Sequence, residues 1–402
     1  MNNTQPLLGA ILKIERVKQE RSQKEVCHGI CVPSYLSKIE YGTVRPDEEI
    51  LQKLYKRLLI EFIGEGELLD NLQRMLEDYF YRLEYELETK DLYAELYLKD
   101  RQLSFSRLAI DWLIIKQLQG EDTQASLSLL KENMTPLQRA YYYIYDMAEF
   151  TDMAEKVTAQ ESAANIINRS FAFILLCQSY MHTSDYAKIH QLENRGIALA
   201  LDEGNTFQLA EYYFLNGTAY ACVNMEEMMV VNYERTIHLL QNTKWADGLD
   251  MLYYNMGATY ISLKKYDLAL EYLHKANKAQ DGRKFSTNQK IAITYIRSGA
   301  LNKAKKFLEK MEKELLKEYA KDSLEYLMYE EACWECREDF LCNAEYLTLL
   351  EKLIKKIKKE RHFGYLYFYQ DVISAAYTNQ RQYKKALEFQ KNISLNEQKY
   401  LI

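Results

Sequence analysis

The residues that could do chemistry fall into three groups, and none forms a catalytic set. The run PSYLSKIE, residues 33–40, turns Leu36 and Ile39 to one helical face. Ser34, Tyr35, Ser37 and Lys38 lie on the other, a surface of hydroxyls and one ammonium. Asn216 in FLNGTAY and Asn255 in YNMGATY are amides that can both donate to and accept from an extended backbone. Lys290 and Arg297 could meet a carboxylate. The third group is sulfur: CHGIC (Cys27, His28, Cys31) and CWEC (Cys333, Cys336). The lone C-x-x-C has no second pair or nearby histidine, so packed thiols are expected and no metal. There is no P-loop, G-x-S-x-G, H-E-x-x-H or glycine-rich nucleotide loop. These residues fit a protein that binds and does not catalyse, with no cofactor.

Composition says what must hold these groups. The 402 residues, 48% hydrophobic and 27% charged, exceed one ordinary core and are not those of a disordered chain. The net charge of −6 averages over unlike parts. Residues 1–60 carry ten Lys/Arg against seven Asp/Glu, a balance of +3, which leaves −9 for the rest. A small domain that touches phosphate, joined to a larger one that does not, has this distribution. No run of about 18 apolar residues exists, so no membrane span is expected. The start has too short an apolar core for a signal peptide. Seven scattered cysteines fit free thiols in a reducing cytoplasm.

Helices must supply the framework. The four prolines are at 6, 33, 46 and 136, and no Val/Ile/Thr alternation at period two occurs, so an all-α chain is expected. Gly217 and Tyr220 recur as Gly257 and Tyr260, with Tyr180 forty residues earlier still. Tyr295 with Ala304, and Tyr377, Tyr383 and Ala386, continue the series. Small residues that let two helices approach, with tyrosines filling the space between pairs, resemble the tetratricopeptide repeat, best over 250–282. The resemblance implies a right-handed superhelix with a concave groove suited to a peptide. Asn255 stands at the sixth repeat position, which faces that groove in tetratricopeptide domains; Asn216 is one place later, so the two need not point alike. Tyr254, Gln178, Lys290 and Arg297 fall at or near other inward positions, with Arg169 a further candidate. The amides could equally cap or bridge helices, and the cations could be solvated.

At the N-terminus a helix is expected from about Leu7 to Glu20, then a second capped by Ser22 with Glu25 at capping-box spacing. A third begins at Pro33 and ends by Gly42, and PDEEILQKLYKRLL closes the core. Residues 7–59 resemble the Cro/CI-type (Xre) helix-turn-helix, in a form one residue shorter in the turn and without the usual turn glycine. That shorter form is similar to the PlcR-like branch of the RRNPP family, peptide-sensing regulators built from a helix-turn-helix and degenerate tetratricopeptide repeats. The resemblance implies a domain at 1–63, connector helices at 64–100 and a peptide-binding repeat domain at 101–402. It implies Gln23 as a phosphate anchor. Pro33, Ser34 and Lys38 would be base-facing, Tyr35 and Ser37 beside them, and Arg45 on phosphate. Arg16 and Glu40 match a structural ion pair. The implied partners are an operator in double-stranded DNA, a short signalling peptide and a second copy in a homodimer. The implied role is quorum-sensing transcription control. Two alternatives use the same parts: repeats that grip a partner protein such as a response regulator, and a prophage lysis/lysogeny repressor.

Overall fold

The computed structural model describes residues 5–276, 284–314, 319–360 and 363–398. Among these residues there are helices and no strands. The chain divides into two compact units, Met1–Ala172 and Phe173–Ile402.

The first unit opens with α1 (Gln5–Lys18), α2 (Gln23–Cys27), α3 (Pro33–Glu40) and α4 (Glu48–Arg57). Ser22 caps α2 with both hydrogen bonds of a capping box, and Pro33 starts α3 where its missing N–H costs nothing. The unit continues with α5 (Glu67–Glu84), α6 (Lys90–Tyr97), α7 (Asp100–Ser104), α8 (Ala109–Leu118), α9 (Gln124–Leu130), α10 (Pro136–Ile144) and α11 (Met153–Ile167). The first four helices do not close a core alone. Leu12, Leu36, Leu54 and Leu58 share one apolar cluster with Ile110, Ile114, Leu127 and Leu130. On α8, Ile110 and Ile114 face that cluster while Trp112 and Ile115 face a second one, built on Leu72, Tyr79, Leu96 and Leu103. A helix apolar on most of its circumference must be covered on more than one side, and α8 is covered on both. The compact body therefore runs far past Ile63.

The second unit comprises α12 (Ser170–Thr183), which begins just before it, α13 (Tyr186–Asp202), α14 (Thr206–Cys222), α15 (Glu226–Leu240), α16 (Leu249–Ser262) and α17 (Tyr266–Ala276). It goes on through α18 (Lys284–Arg297), α19 (Leu301–Glu314), α20 (Leu324–Glu335), α21 (Ala344–Glu360), α22 (Phe363–Asn379) and α23 (Tyr383–Gln398). Successive helices pack as hairpins: α14 on α15, α16 on α17, α18 on α19, α20 on α21 and α22 on α23. The expected tetratricopeptide-like arrangement is present, and the repeated glycine explains its closeness. A Cβ added to Gly217 would lie 2.5 Å from the Tyr233 ring, and one added to Gly257 would lie 2.5 Å from Leu273. Both positions admit hydrogen only, which sets the approach of each hairpin's two helices. Helix α22 also packs on α14 and α16.

Candidate functional site

Two places gather the polar residues singled out by sequence. The first is the outer face of α3. Pro33, Ser34, Lys38 and Arg45 are exposed, while Leu36 and Ile39 are fully inside. Tyr35 and Ser37 are half-buried, and Tyr35 packs on the core behind the helix. The turn before α3 contains Gly29 at φ 71, so a glycine does supply its left-handed residue, away from the place it usually takes. Tyr41, 66% exposed at the end of α3, lies under Lys13 Nζ at 4.0 Å from its ring centroid. This pair adds a cation and an aromatic edge to the same face. Its only sequence signal was the basic excess of the first 60 residues.

Behind that face stands a buried charge cluster. Glu40, whose side chain is 0% exposed, accepts from Arg16 Nε at 2.6 Å and from a terminal Arg16 nitrogen at 3.0 Å. The expected ion pair is thus a fork-to-fork bond, the geometry in which a guanidinium holds a carboxylate best. Gln23, half-buried, also reaches this cluster: its Nε2 donates to Glu40 Oε2 at 2.7 Å. The reason is local: a fully buried carboxylate must have its lone pairs filled, and the first turn of α2 holds the donor within reach.

The second place is a cavity of about 250 Å³ in the repeat unit, lined by α14, α16, α18 and α22. Thr218, Tyr254, Asn255, Lys290, Tyr365 and Phe368 are among its walls. Asn255 is half-buried there, its Nδ2 donating to Tyr233 Oη at 3.1 Å and Thr218 Oγ1 at 3.3 Å. Lys290 is 2% exposed, with Nζ 3.3 Å from the centroid of Phe368. Burial, and then the charge of Arg297, hold its amine well below the ordinary lysine range, against the pull of Glu331 and Glu335.

Four other candidates lie elsewhere. Asn216 is fully buried: its Nδ2 donates to the Tyr212 carbonyl at 3.0 Å and its Oδ1 meets His190 Nδ1 at 2.7 Å. With the amide so oriented, His190 must carry its proton on Nδ1 and donate. The ring also stacks on Tyr220 at 4.1 Å. Asn216 therefore ties α14 to α13 and offers nothing to a groove. Arg297 is bound to Glu335 at 3.0 and 3.4 Å and borders a neighbouring cavity of about 290 Å³. Gln178 is exposed on α12 and does not line the 250 Å³ cavity. Arg169 belongs to the first unit and pairs with Glu84 at 2.9 Å.

Behind Arg297 lies a coupled acid pair on α20. Burial, and then the neighbouring Glu335, push the Glu331 carboxyl well above the usual range. Burial acts the same way on Glu335, but the charge and hydrogen bonds of Arg297 outweigh it and leave that carboxyl low. Burial thus favours the neutral form of Glu331, and Arg297 the charged form of Glu335. Tyr346 Oη donates to Glu331 Oε1 at 3.3 Å. The seven cysteines are all free thiols; Cys333 and Cys336 sit half-buried.

Residues 12–61 match a family model described as "Helix-turn-helix". No curated protein matches the chain. Among solved structures, the chain is similar to a Rap protein complexed with Competence and Sporulation Factor. The TM-score is 0.57 at 14% identity, over 83% of this chain and 99% of that one, a likeness of fold. Bacillus thuringiensis PlcR, in complex with the peptide PapR7 and DNA, aligns over 78% of this chain and 98% of that one. Its identity is 15% and its TM-score 0.23, too low for the superposition to carry an argument. Among the described residues, no helix is long and apolar enough to cross a membrane.

Proposed function

We propose that the protein is a sequence-specific DNA-binding transcription regulator whose activity is set by a short signalling peptide seated in the repeat unit. It belongs, on this reading, to the RRNPP regulators and acts by binding, in the cytoplasm, without catalysis. The observation that carries the reading is the joining of a helix-turn-helix with an exposed polar recognition face to a hairpin array that contains a walled cavity. Helix α3 fits a major groove, where Lys38 can donate to guanine O6 and N7 and Ser34 to either edge. Single modules of this kind bind weakly, so two copies on paired half-sites complete the reading. A peptide that changes the packing of α22 on α14 and α16 would change the geometry in which the two DNA-reading helices are held.

The test is selection of genomic fragments by the purified protein, with wild type set against Ser34→Ala with Lys38→Ala. A palindromic site enriched by wild type and lost in the double variant is expected. Equal enrichment by both proteins would remove α3 as the reading element. The fold likeness to a Rap protein supports a second reading, in which the repeats grip a protein partner such as a response regulator. Wild type that enriches no site, with or without pooled peptides, would favour it. A prophage repressor would use the same DNA face with a different operator.

A further inference from the structure

One amine of the repeat unit is buried without an acceptor. Lys290 Nζ extends into the cavity wall and makes no hydrogen bond among the described residues. Ring faces surround it instead: Phe368 at 3.3 Å, Tyr369 at 5.1 Å and Tyr365 at 5.9 Å from their centroids. A ring face offsets part of an ammonium's lost hydration and does not replace an anion. Two of the nearby charges bind each other, Arg297 on its own helix and Glu335 on α20; Glu331 takes the Tyr346 hydroxyl on Oε1, while its buried Oε2 makes no hydrogen bond among the described residues. The remaining titratable groups facing the cavity are neutral ones: Cys222 on α14, Tyr254 on α16, and Tyr365 and Tyr367 on α22.

In the same cavity, Asn255 spends its Nδ2 on Tyr233 and Thr218, so what it can offer is Oδ1, an acceptor for an N–H. An amine with no hydrogen-bond acceptor and a carbonyl that can receive an N–H together complement an acylated amino acid. A volume of about 250 Å³ suits one or two residues, not a whole peptide.

We propose that Lys290 is an anion-recognition point, and that this cavity seats a carboxylate next to an amide N–H of its ligand. The chemistry has two sources, the C-terminal carboxylate of a peptide and an Asp or Glu side chain within one. This deepens the peptide reading and rests on it for the remainder of the ligand. A carboxylate against Nζ raises the amine toward the ordinary lysine range, so binding takes up a proton. Affinity therefore falls as pH rises between the amine's value in the free protein and its value in the complex.

The experiment uses the full chain and three small probes: N-acetyl-leucine, N-acetylglutamic acid α-amide and the neutral N-acetyl-leucinamide. Calorimetry in two buffers of different ionisation enthalpy reads affinity and proton uptake together. At least one carboxylate should bind about tenfold or more tighter than the neutral amide, with net proton uptake. Whichever carboxylate is preferred identifies the source. Lys290→Met should remove the preference, and Lys290→Gln, which keeps a neutral donor, should remove the proton uptake. Thermal unfolding of both variants confirms that they fold. Equal binding of all three probes, binding of none, or a preference that survives Lys290→Met would overturn the inference.

Pooled random hexapeptides, as free acids and as C-terminal amides, separate it from the broader reading. If both pools bind alike and Lys290→Met is indifferent, the peptide reading stands and the anion site falls. If the small carboxylates bind and neither pool does, the anion site stands and the peptide reading falls.

Discussion

Behind α3 and in the repeat unit the molecule buries charge and treats it in opposite ways. Behind α3, Glu40 is enclosed with Arg16 and Gln23, and three short hydrogen bonds fill its lone pairs. In the repeat unit, Arg297 and Glu335 are matched, yet Lys290 faces a cavity with aromatic rings around its amine, and burial pushes the Glu331 carboxyl well above the usual range. The first cluster joins α1, α2 and α3 and needs nothing further. The second is complete only in part, and its incomplete member lines a cavity. A saturated cluster is a scaffold, and an unsaturated one beside a cavity is poised for a ligand.

The largest expected effect tests the saturated cluster. Arg16→Met would leave a fully buried carboxylate with one amide donor, a change that costs about 3–5 kcal/mol. Faster amide hydrogen exchange across α1 to α3 in the full chain checks it. Protection unchanged in those helices would show the pair to be no tie at all. The same logic applied to the second cluster predicts opposite signs for two neighbouring cations. Arg297→Met strands Glu335 and should cost roughly 2–4 kcal/mol, somewhat less because the Arg297 side chain is 20% exposed. Lys290→Met removes an amine that lacks an acceptor and should stabilise by about 1–2 kcal/mol.

The pH dependence carries its own sign. Lys290 binds its proton less readily folded than unfolded, so the unfolded state holds more protons between the lowered value and the ordinary 10.5. Stability of the wild type therefore gains with rising pH through that window, and the advantage of Lys290→Met shrinks toward pH 10.5. Denaturant midpoints of both proteins across the alkaline range measure this. An advantage constant with pH would mean that the amine is not the cause.

On the DNA face the expected effect is confined to binding. Lys38 is exposed and supports no core contact, so Lys38→Ala should leave the thermal midpoint in place while costing about 1–3 kcal/mol of discrimination at one base pair. A uniform loss across all sequences, with a shallower salt dependence, would move Lys38 from base edge to phosphate.

How far these residues could be read in advance follows from the range of the contacts that place them. The helix-turn-helix is legible because its signals are short: Ser22 and Glu25 are three residues apart, Pro33 opens α3, and Leu36 and Ile39 point inward by helical period alone. The tie from Gln23 to Glu40 is not legible in that way, because the two lie 17 residues apart on different helices. The cavity assembles residues from 218 to 368, so no local pattern specifies it. Phe368, the ring against which Lys290 rests, is 78 positions along the chain from it and has no sequence mark that connects them.

The two asparagines show the same limit at its smallest scale, and provide the finest test. Each stands in a near-identical block, but Asn216 directly precedes Gly217 whereas Asn255 is two places before Gly257. One residue is about 100° of helix rotation, enough to move a side chain from a cavity wall to the seam between helices. Asn216 accordingly sits in the seam with His190 and Tyr212, and Asn255 on the wall with Thr218. Asn216→Ala leaves a half-buried imidazole N–H without its acceptor and should cost about 1 kcal/mol of stability, with no direct effect on a cavity ligand. Asn255→Ala removes a half-buried amide from an open wall; its stability cost should be about 0.5 kcal/mol, while the loss falls on binding of the carboxylate probes. Reversed outcomes, with Asn216 controlling affinity and Asn255 stability, would mean that the register of α14 and α16 against the cavity is the opposite of the one described, and the role given to Asn255 in the cavity would fall with it.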